Sequence, residues 1–448
     1  MRSSTRSIAA VASLAALGPP LAFAGGGSPP PRYRAAPLQA FEGGITRAYS
    51  LNDDGLSTGE SGSGSVLPGT HAFVAQPDGT LANIETLVGY HISSGEVVNS
   101  SGQVAGTLTV FAGQVGLSTV FRYTPGVGMV NLGTLGGTSG WITDMNDRGD
   151  IIGVWTDAGG TWRGFLYTDK GGMQSLDALV GATSRPMDIN NAGQVVGYYY
   201  QASQARAFLW DGALHDLGTL GGGRSQAYYV NDNGVVVGGA ELPDGTSRAF
   251  RFTFEAGMQP LPLPLPGSTE CVAQVITSSG IIAGWHQHGP QRRGFIFGPT
   301  DGMNDIGVGI GNTTWTGAVG ANDDGVALFV QVDEQTYEVR ALVCSTAFGT
   351  HDLNDLVVGQ PLPWSIVTAA GINSRGQVLV GWWSSAALLT PVTPGDLNGD
   401  GHVDQADLGA LLAHYGVENG ATYEQGDIDG DGAVSQADLG ILLAVFGV

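Results

Sequence analysis

A four-residue phrase, Asn-x-x-Gly, returns along this chain as Asn52–Gly55, Asn99–Gly102, Asn146–Gly149, Asn190–Gly193, Asn231–Gly234, Asn322–Gly325 and Asn373–Gly376, with Thr277–Gly280 in the missing place. Its glycines stand 47, 47, 44, 41, 46, 45 and 51 residues apart. Repetition at such a period means one supersecondary unit made many times over. A β-rich run precedes each tetrad, as in Ala227–Val230, and an apolar run follows it, as in Gln194–Gly197. Asn can close an Asx turn and Gly can adopt the left-handed conformation, so the tetrad reads as a tight hairpin. A third strand with a central aromatic comes next (Arg163–Tyr167, Arg206–Trp210, Arg248–Phe252, Arg293–Phe297), then a fourth (Asn131–Leu135, Asp216–Leu220) and a glycine pair. The 73 glycines therefore mark repeated turns and not low complexity.

A four-stranded sheet of this kind cannot bury either apolar face alone; neighbours packed face to face around an axis solve that. The expected fold is an all-β propeller over residues 38–390. It has eight four-stranded blades, with seven left open because the seventh copy is the weakest. A β-helix would need a shorter period. The eighth copy stops after Ala386–Leu389 without a fourth strand, while Ala36–Gly44 matches the register of Asp216–Gly222. An N-terminal strand is thus expected to close the last blade.

Residues 1–24 read as a secretory signal: Arg2 and Arg6, then apolar Ile8–Leu17, then the small-x-small site Ala22-Phe23-Ala24. A Gly/Pro-rich linker follows over 25–37, and no segment approaches the roughly 20 apolar residues of a membrane span. Lys and Arg total 18 against 40 Asp and Glu, a net charge of −22. That balance argues against binding nucleic acid or anionic lipid, which need a basic face. Cys271 and Cys344 occupy non-equivalent places in their repeats and are expected to be buried thiols, with a disulfide left open.

The phrases His71–Phe73, Ala207–Trp210, Leu217–Gly222 and Ile189–Gly197 resemble the bacterial HAF-type extracellular repeat, over roughly residues 38–390. The resemblance implies an extracellular propeller-like module and carries no catalytic signature.

Thr390–Pro394 contains a short stiff linker, 391–394. Beyond it, two near-duplicates place Asp396, Asn398, Asp400, Gly401, His402, Asp407 and Asp427, Asp429, Asp431, Gly432, Ala433, Asp438 at positions 1, 3, 5, 6, 7 and 12 of an EF-hand calcium loop. Calcium takes six to eight hard oxygens, so carboxylates alternate, glycine turns the chain, and His402 and Ala433 serve through backbone carbonyls. An amphipathic helix follows each loop (Leu408, Leu411, Leu412, Tyr415; Leu439, Leu442, Leu443, Phe446), with no matching helix before it. Loop–helix twice over, with Asp at position 12, resembles the type I dockerin domain across 395–448. The resemblance implies two Ca2+ ions and a cohesin partner read through loop positions 10 and 11, here Gln405-Ala406 and Gln436-Ala437. Their identity in the two halves suggests that either face can engage it.

Propeller ligands are expected around the axis on the face of the 2–3 and 4–1 loops. Trp141, Trp155, Trp162, Arg185, Trp285 and Trp315 lie on or beside those loops, where flat aromatics can stack on sugars. Asp144 and Asp188 both stand five residues before a tetrad glycine and could face each other as glycosidase carboxylates do. His286 and His288 offer two metal ligands on a loop, without a third. The sequence favours a non-enzymatic binding or structural protein with a carbohydrate or protein ligand. The alternative is a polysaccharide hydrolase or lyase delivered by its dockerin.

Overall fold

The computed structural model describes residues 29–41, 44–62, 69–112, 115–307 and 314–447; the expected signal sequence, residues 1–24, lies outside the described residues. Eight sheets follow one another along the chain, seven antiparallel ones of four strands and one mixed sheet of five, forming an eight-bladed β-propeller. Blade three is representative, with strands Ser139–Met145, Ile151–Thr156, Trp162–Thr168 and Gly172–Ser175 in that order.

One cross-strand pair explains much of the repeat's composition. In blades one to six a second-strand glycine faces a third-strand phenylalanine: Gly59–Phe73, Gly106–Phe121, Gly153–Phe165, Gly197–Phe208, Gly238–Phe250 and Gly284–Phe295. All six rings are fully buried. A Cβ on Gly153 would come within 2.6 Å of the Phe165 ring, so the glycine makes the space the ring fills. In blade seven the aromatic moves to the second strand, as Phe329 opposite Leu342. This exchange is why the seventh copy reads weakly, and it decides the count at eight.

A β-bulge precedes the tetrad in every blade, skipping Tyr49, Glu96, Thr143, Met187, Tyr228, Gln274, Val319 or Ala370. Bulges bend and twist a strand. Here they redirect the end of each first strand, with its tetrad, into the axial opening.

The ring closes as expected in kind but not in position. The closing strand is Tyr33–Pro37, antiparallel to Ser385–Pro391 and parallel to Val357–Val358. The Leu38 N–H donates to Ala386 O as the Leu217 N–H does to Ala207 O, so Leu38 corresponds to Leu217 and the strand lies upstream of it. Residues 33–37, assigned from sequence to the linker, belong to blade eight.

Behind 391–394, helices Gln405–His414 and Gln436–Ala444 pack into a small module. Its core of Leu397, Val403, Leu411, Tyr423, Ile428, Val434 and Leu442 includes Val358 from the propeller. The Tyr423 hydroxyl donates to Thr393 O (3.2 Å) and accepts the Gly395 N–H (3.1 Å). The segment between propeller and module is therefore packed rather than free. Among the described residues no helix is long and apolar enough to cross a membrane. Cys271 and Cys344 are both buried and free, and burial pushes each thiol up to about 12.

Candidate functional sites

The two C-terminal loops match almost bond for bond. Asp396 accepts the N–H of Gly399 (2.7 Å) and Gly401 (3.2 Å); Asp427 accepts those of Gly430 (2.9 Å) and Gly432 (3.1 Å). The fully buried Asp407 accepts from Leu397, Asn398 and Asp404, and Asp438 accepts from Ile428, Asp429 and Ser435. Asp407 and Asp438 also complete capping boxes, so the loop geometry and the helix start share one carboxylate. In the second loop Asp427, Asp429 and Asp431 bring carboxylate oxygens within 4.8 Å of one another. Burial and neighbouring carboxylates raise both Asp427 and Asp429 above the usual range, against backbone hydrogen bonds that lower them. Crowded hard oxygens without nitrogen or sulfur donors fit calcium. The first loop repeats the pattern with the Asn398 amide in place of the middle carboxylate.

Gln405, Ala406, Gln436 and Ala437 are all exposed. The amphipathic stripes are only partly covered: Leu411 and Leu442 are buried, but Leu412, Tyr415, Leu443 and Phe446 are 53, 50, 50 and 41% exposed. Two short helices cannot bury both stripes, which leaves matching apolar patches one turn or two beyond the paired Gln-Ala positions.

Residues 394–444 match the family model of the dockerin type I domain. The comparison with curated proteins matched none. Among solved structures the chain is similar to TolB from Acinetobacter baumannii (12% identity, TM-score 0.35, covering 65% of this chain and 80% of that one). Prolyl oligopeptidase B from Galerina marginata has 8% identity and a TM-score of 0.47, and acylaminoacyl peptidase from Pyrococcus horikoshii 9% and 0.42. Each is covered over 69% of this chain, which spans only 50% and 52% of those two proteins. At these TM-scores none of the three bears on activity. A dockerin domain binds calcium and assembles with a cohesin, and such proteins are typically extracellular or attached at the cell surface.

The end of the propeller formed by the tetrad turns holds an axial cavity of about 500 Å³, lined by all eight first strands and tetrads. Here the tetrad asparagines do more than turn the chain. Asn190 Oδ1 accepts its own turn's Gln194 N–H (2.9 Å), while Nδ2 donates to Asn231 O of the next blade (3.0 Å). The same blade-to-blade bond links Asn52 to Asn99, Asn99 to Asn146, Asn146 to Asn190 and Asn231 to Thr277, and Asn373 to Asn52 carries it across the closure. Thr277 has no amide to extend it. A second polar belt alternates with it: Asp53, Asp147, Asp232 and Asp323 of the odd blades accept N–H groups of Ser374, Ser100, Asn191 and Ser279.

The structure brings Asp144 and Asp188 together in this opening, in direct hydrogen-bond contact. Asp144 accepts the Ile189 N–H (3.2 Å) and Asp188 the Val230 N–H (2.7 Å). Burial raises both carboxyls, and the Asp144 charge beside it pushes Asp188 well above the ordinary range. Glycosidase pairs stand about 5 Å or more apart to admit sugar or water. Here each carboxyl instead engages its partner and caps the next blade's backbone. Ser50 does the same for Val98.

Two aromatic groups form at the opposite end. Trp141 and Trp162 stack with centroids 4.6 Å apart, and Arg185 Nη1 donates to Trp162 O (2.7 Å). The Arg292 guanidinium lies 3.7 Å from the Trp285 ring centroid and 5.7 Å from that of Trp315. Trp155 packs on Gly137, where a Cβ would fall 2.5 Å from its ring, so it belongs to the blade interface. Trp382 and Trp383, at the second hairpin of blade eight, join this end and are 41 and 77% exposed. The sequence reading missed them, although Trp382 sits where Trp155 sits in blade three and Trp383 follows it into the same hairpin as Trp162.

His286 and His288 lie on strand Ile282–His288 and not on a loop. His286 is fully buried between Ser268 Oγ (2.9 Å) and Asp305 Oδ1 (2.8 Å), a partner of the blade frame. Burial would raise Asp305, but hydrogen bonds from Arg293 and His286 outweigh it and hold the carboxyl well below the usual range.

Proposed function

We propose that this is a secreted, non-enzymatic binding protein. Its propeller receives carbohydrate on the tryptophan-rich end, and its dockerin, loaded with two calcium ions, attaches it to a cohesin-bearing partner through Gln405-Ala406 or Gln436-Ala437. One observation carries the reading of the propeller. The four exposed tryptophans among the described residues, Trp162, Trp315, Trp382 and Trp383, all lie at the end formed by the 2–3 and 4–1 loops. Indole faces left in water by a folded protein suit stacking on sugar rings, with Arg185 and Arg292 beside them for hydroxyl groups. The signal-like residues 1–24 and the HAF-type phrases favour an extracellular setting. The hydrolase or lyase alternative is weakened by the engagement of Asp144 and Asp188 with each other and with the backbone.

Isothermal calorimetry of the full chain against soluble polysaccharides, with calcium present, tests this. Saturable heat abolished by Trp315→Ala or Trp383→Ala is expected. Saturable heat that survives both variants moves the site elsewhere, and no heat with any polysaccharide turns the reading to a protein ligand.

A further inference from the structure

Arg32 and Arg34 stand two residues apart where the ring-closing strand begins. Their side chains leave the same face, while Tyr33 between them points into the core of blade eight and is 1% exposed. The shared face meets the dockerin, one arginine to each calcium loop. Arg34 Nη1 lies 3.5 Å from Asp396 Oδ2, and Arg34 Nη2 donates to Asp396 O at 3.3 Å. Asp396 is the first position of the first loop. A Cβ on Gly399, the fourth position, would fall 1.8 Å from Arg34 Nη1; one on Gly430, its counterpart in the second loop, would fall 2.1 Å from Arg32 Nη2. Each guanidinium therefore rests directly against the backbone of a loop glycine. Arg32 Nη1 donates to Asp355 O (3.0 Å), and Glu424 accepts the Gly359 N–H, which pins the module to the chain between blades seven and eight.

The loops differ in what they offer a cation. The second has four carboxylates at positions 1, 3, 5 and 12 (Asp427, Asp429, Asp431, Asp438), the first only three (Asp396, Asp400, Asp407), with Asn398 in the remaining place. Arg34 further occupies one of those three, whereas the hydrogen bond from Arg32 goes to a propeller carbonyl. A fixed positive charge against a ligand carboxylate opposes an incoming divalent cation at a range where salt screens poorly.

We propose that Arg34 couples ring closure to calcium. It lowers the affinity of the first loop, so the second loop fills first, and filling the first loop loosens the closing strand's hold on the dockerin. Linkage requires the two effects to be reciprocal. The proposal rests on the calcium-loop reading above.

Calcium titration of the full chain by calorimetry is the test. The wild type is expected to show two unequal sites. Arg34→Gln is expected to tighten the weaker one about three- to tenfold, from the repulsion of a single charge a few ångströms away, and to leave the stronger one unchanged. Arg34→Lys, which keeps the charge, stays within about twofold of wild type on the same reasoning. A second readout needs no variant: protease cleavage at 391–394 of the wild type rises as the weaker site fills. An unchanged or weakened first site in R34Q overturns the proposal, as does cleavage that stays flat or falls across that transition. Absence of calcium heat overturns the calcium-loop reading along with it.

Discussion

Replacing Asn190 by Asp separates the two jobs assigned to the tetrad asparagine. Asp closes an Asx turn as well as Asn does, so a residue that only turned the chain would tolerate the change. Asn190 is 5% exposed, and its Nδ2 also donates to Asn231 O and to Gln194 Oε1. In Asn190→Asp the Gln194 amide can rotate to donate instead, but Asn231 O cannot. Its remaining partner is the Gly234 N–H, and a carboxylate oxygen now faces it about 3 Å away. Loss of one buried hydrogen bond with an unfavourable buried charge is worth about 2–4 kcal/mol. With an m-value of about 4 kcal/mol per molar urea for a domain this large, the midpoint falls by roughly 0.5–1 M at neutral pH. The sign with pH is fixed. The new carboxyl titrates above its unfolded value in the fold, so the penalty is absent below about pH 4 and grows as pH rises through the folded value. Urea unfolding followed by tryptophan emission, at acid and neutral pH, reads both. Equal midpoints for variant and wild type at neutral pH would refute the blade-to-blade role.

Thr277→Asn supplies the missing amide toward Asn322 and is expected to stabilise the ring by about 1 kcal/mol in the same assay; destabilisation would show that the sixth blade lies out of register with the others. Asp188→Asn keeps a neutral donor toward Asp144 and an acceptor for the Val230 N–H. Because the Asp188 carboxyl is raised in the fold, its burden is present at neutral pH and vanishes below the unfolded carboxylate value, so D188N raises the thermal midpoint near pH 7 and not near pH 3. A lower midpoint at neutral pH contradicts the raised Asp188 carboxyl. The dockerin carries ten carboxylates and no lysine or arginine over 395–448. Chelation of calcium is expected to expose its helices to limited proteolysis while the propeller stays resistant; an identical digest with and without chelator counts against calcium as its structural ion.

The blades were legible because each tetrad pairs a local turn requirement with a fixed period, and a glycine–phenylalanine pair recurs across neighbouring strands. Blade seven blurred the count because Phe329 changed strands while still filling the same layer. What stayed hidden is long-range. The bulges leave no mark of composition, since the skipped residue is Tyr, Glu, Thr, Met, Gln, Val or Ala. The asparagine amides act on a carbonyl more than forty residues away in the chain. The closing strand YRAAP carries no repeat motif of its own, so the register was anchored on the residues after it. Asp144 and Asp188 could be read as facing each other from their matching places in the repeat, but strand geometry alone could not say what each carboxyl engages. The paired acidic loops and the dockerin they belong to were legible, being local, whereas the arginines lying on them arrive from the other end of the chain.

Binding without turnover is the central functional claim, and one mixture tests both halves of it. The calcium-loaded protein is incubated with a polysaccharide that it retains, and the bound fraction and newly formed chain ends are measured in the same sample over hours. The account predicts a steady bound fraction, lost in Trp383→Ala, with chain ends no higher than in a protein-free control. Chain ends that accumulate in proportion to protein and time would contradict it, and would return the propeller to the enzymes.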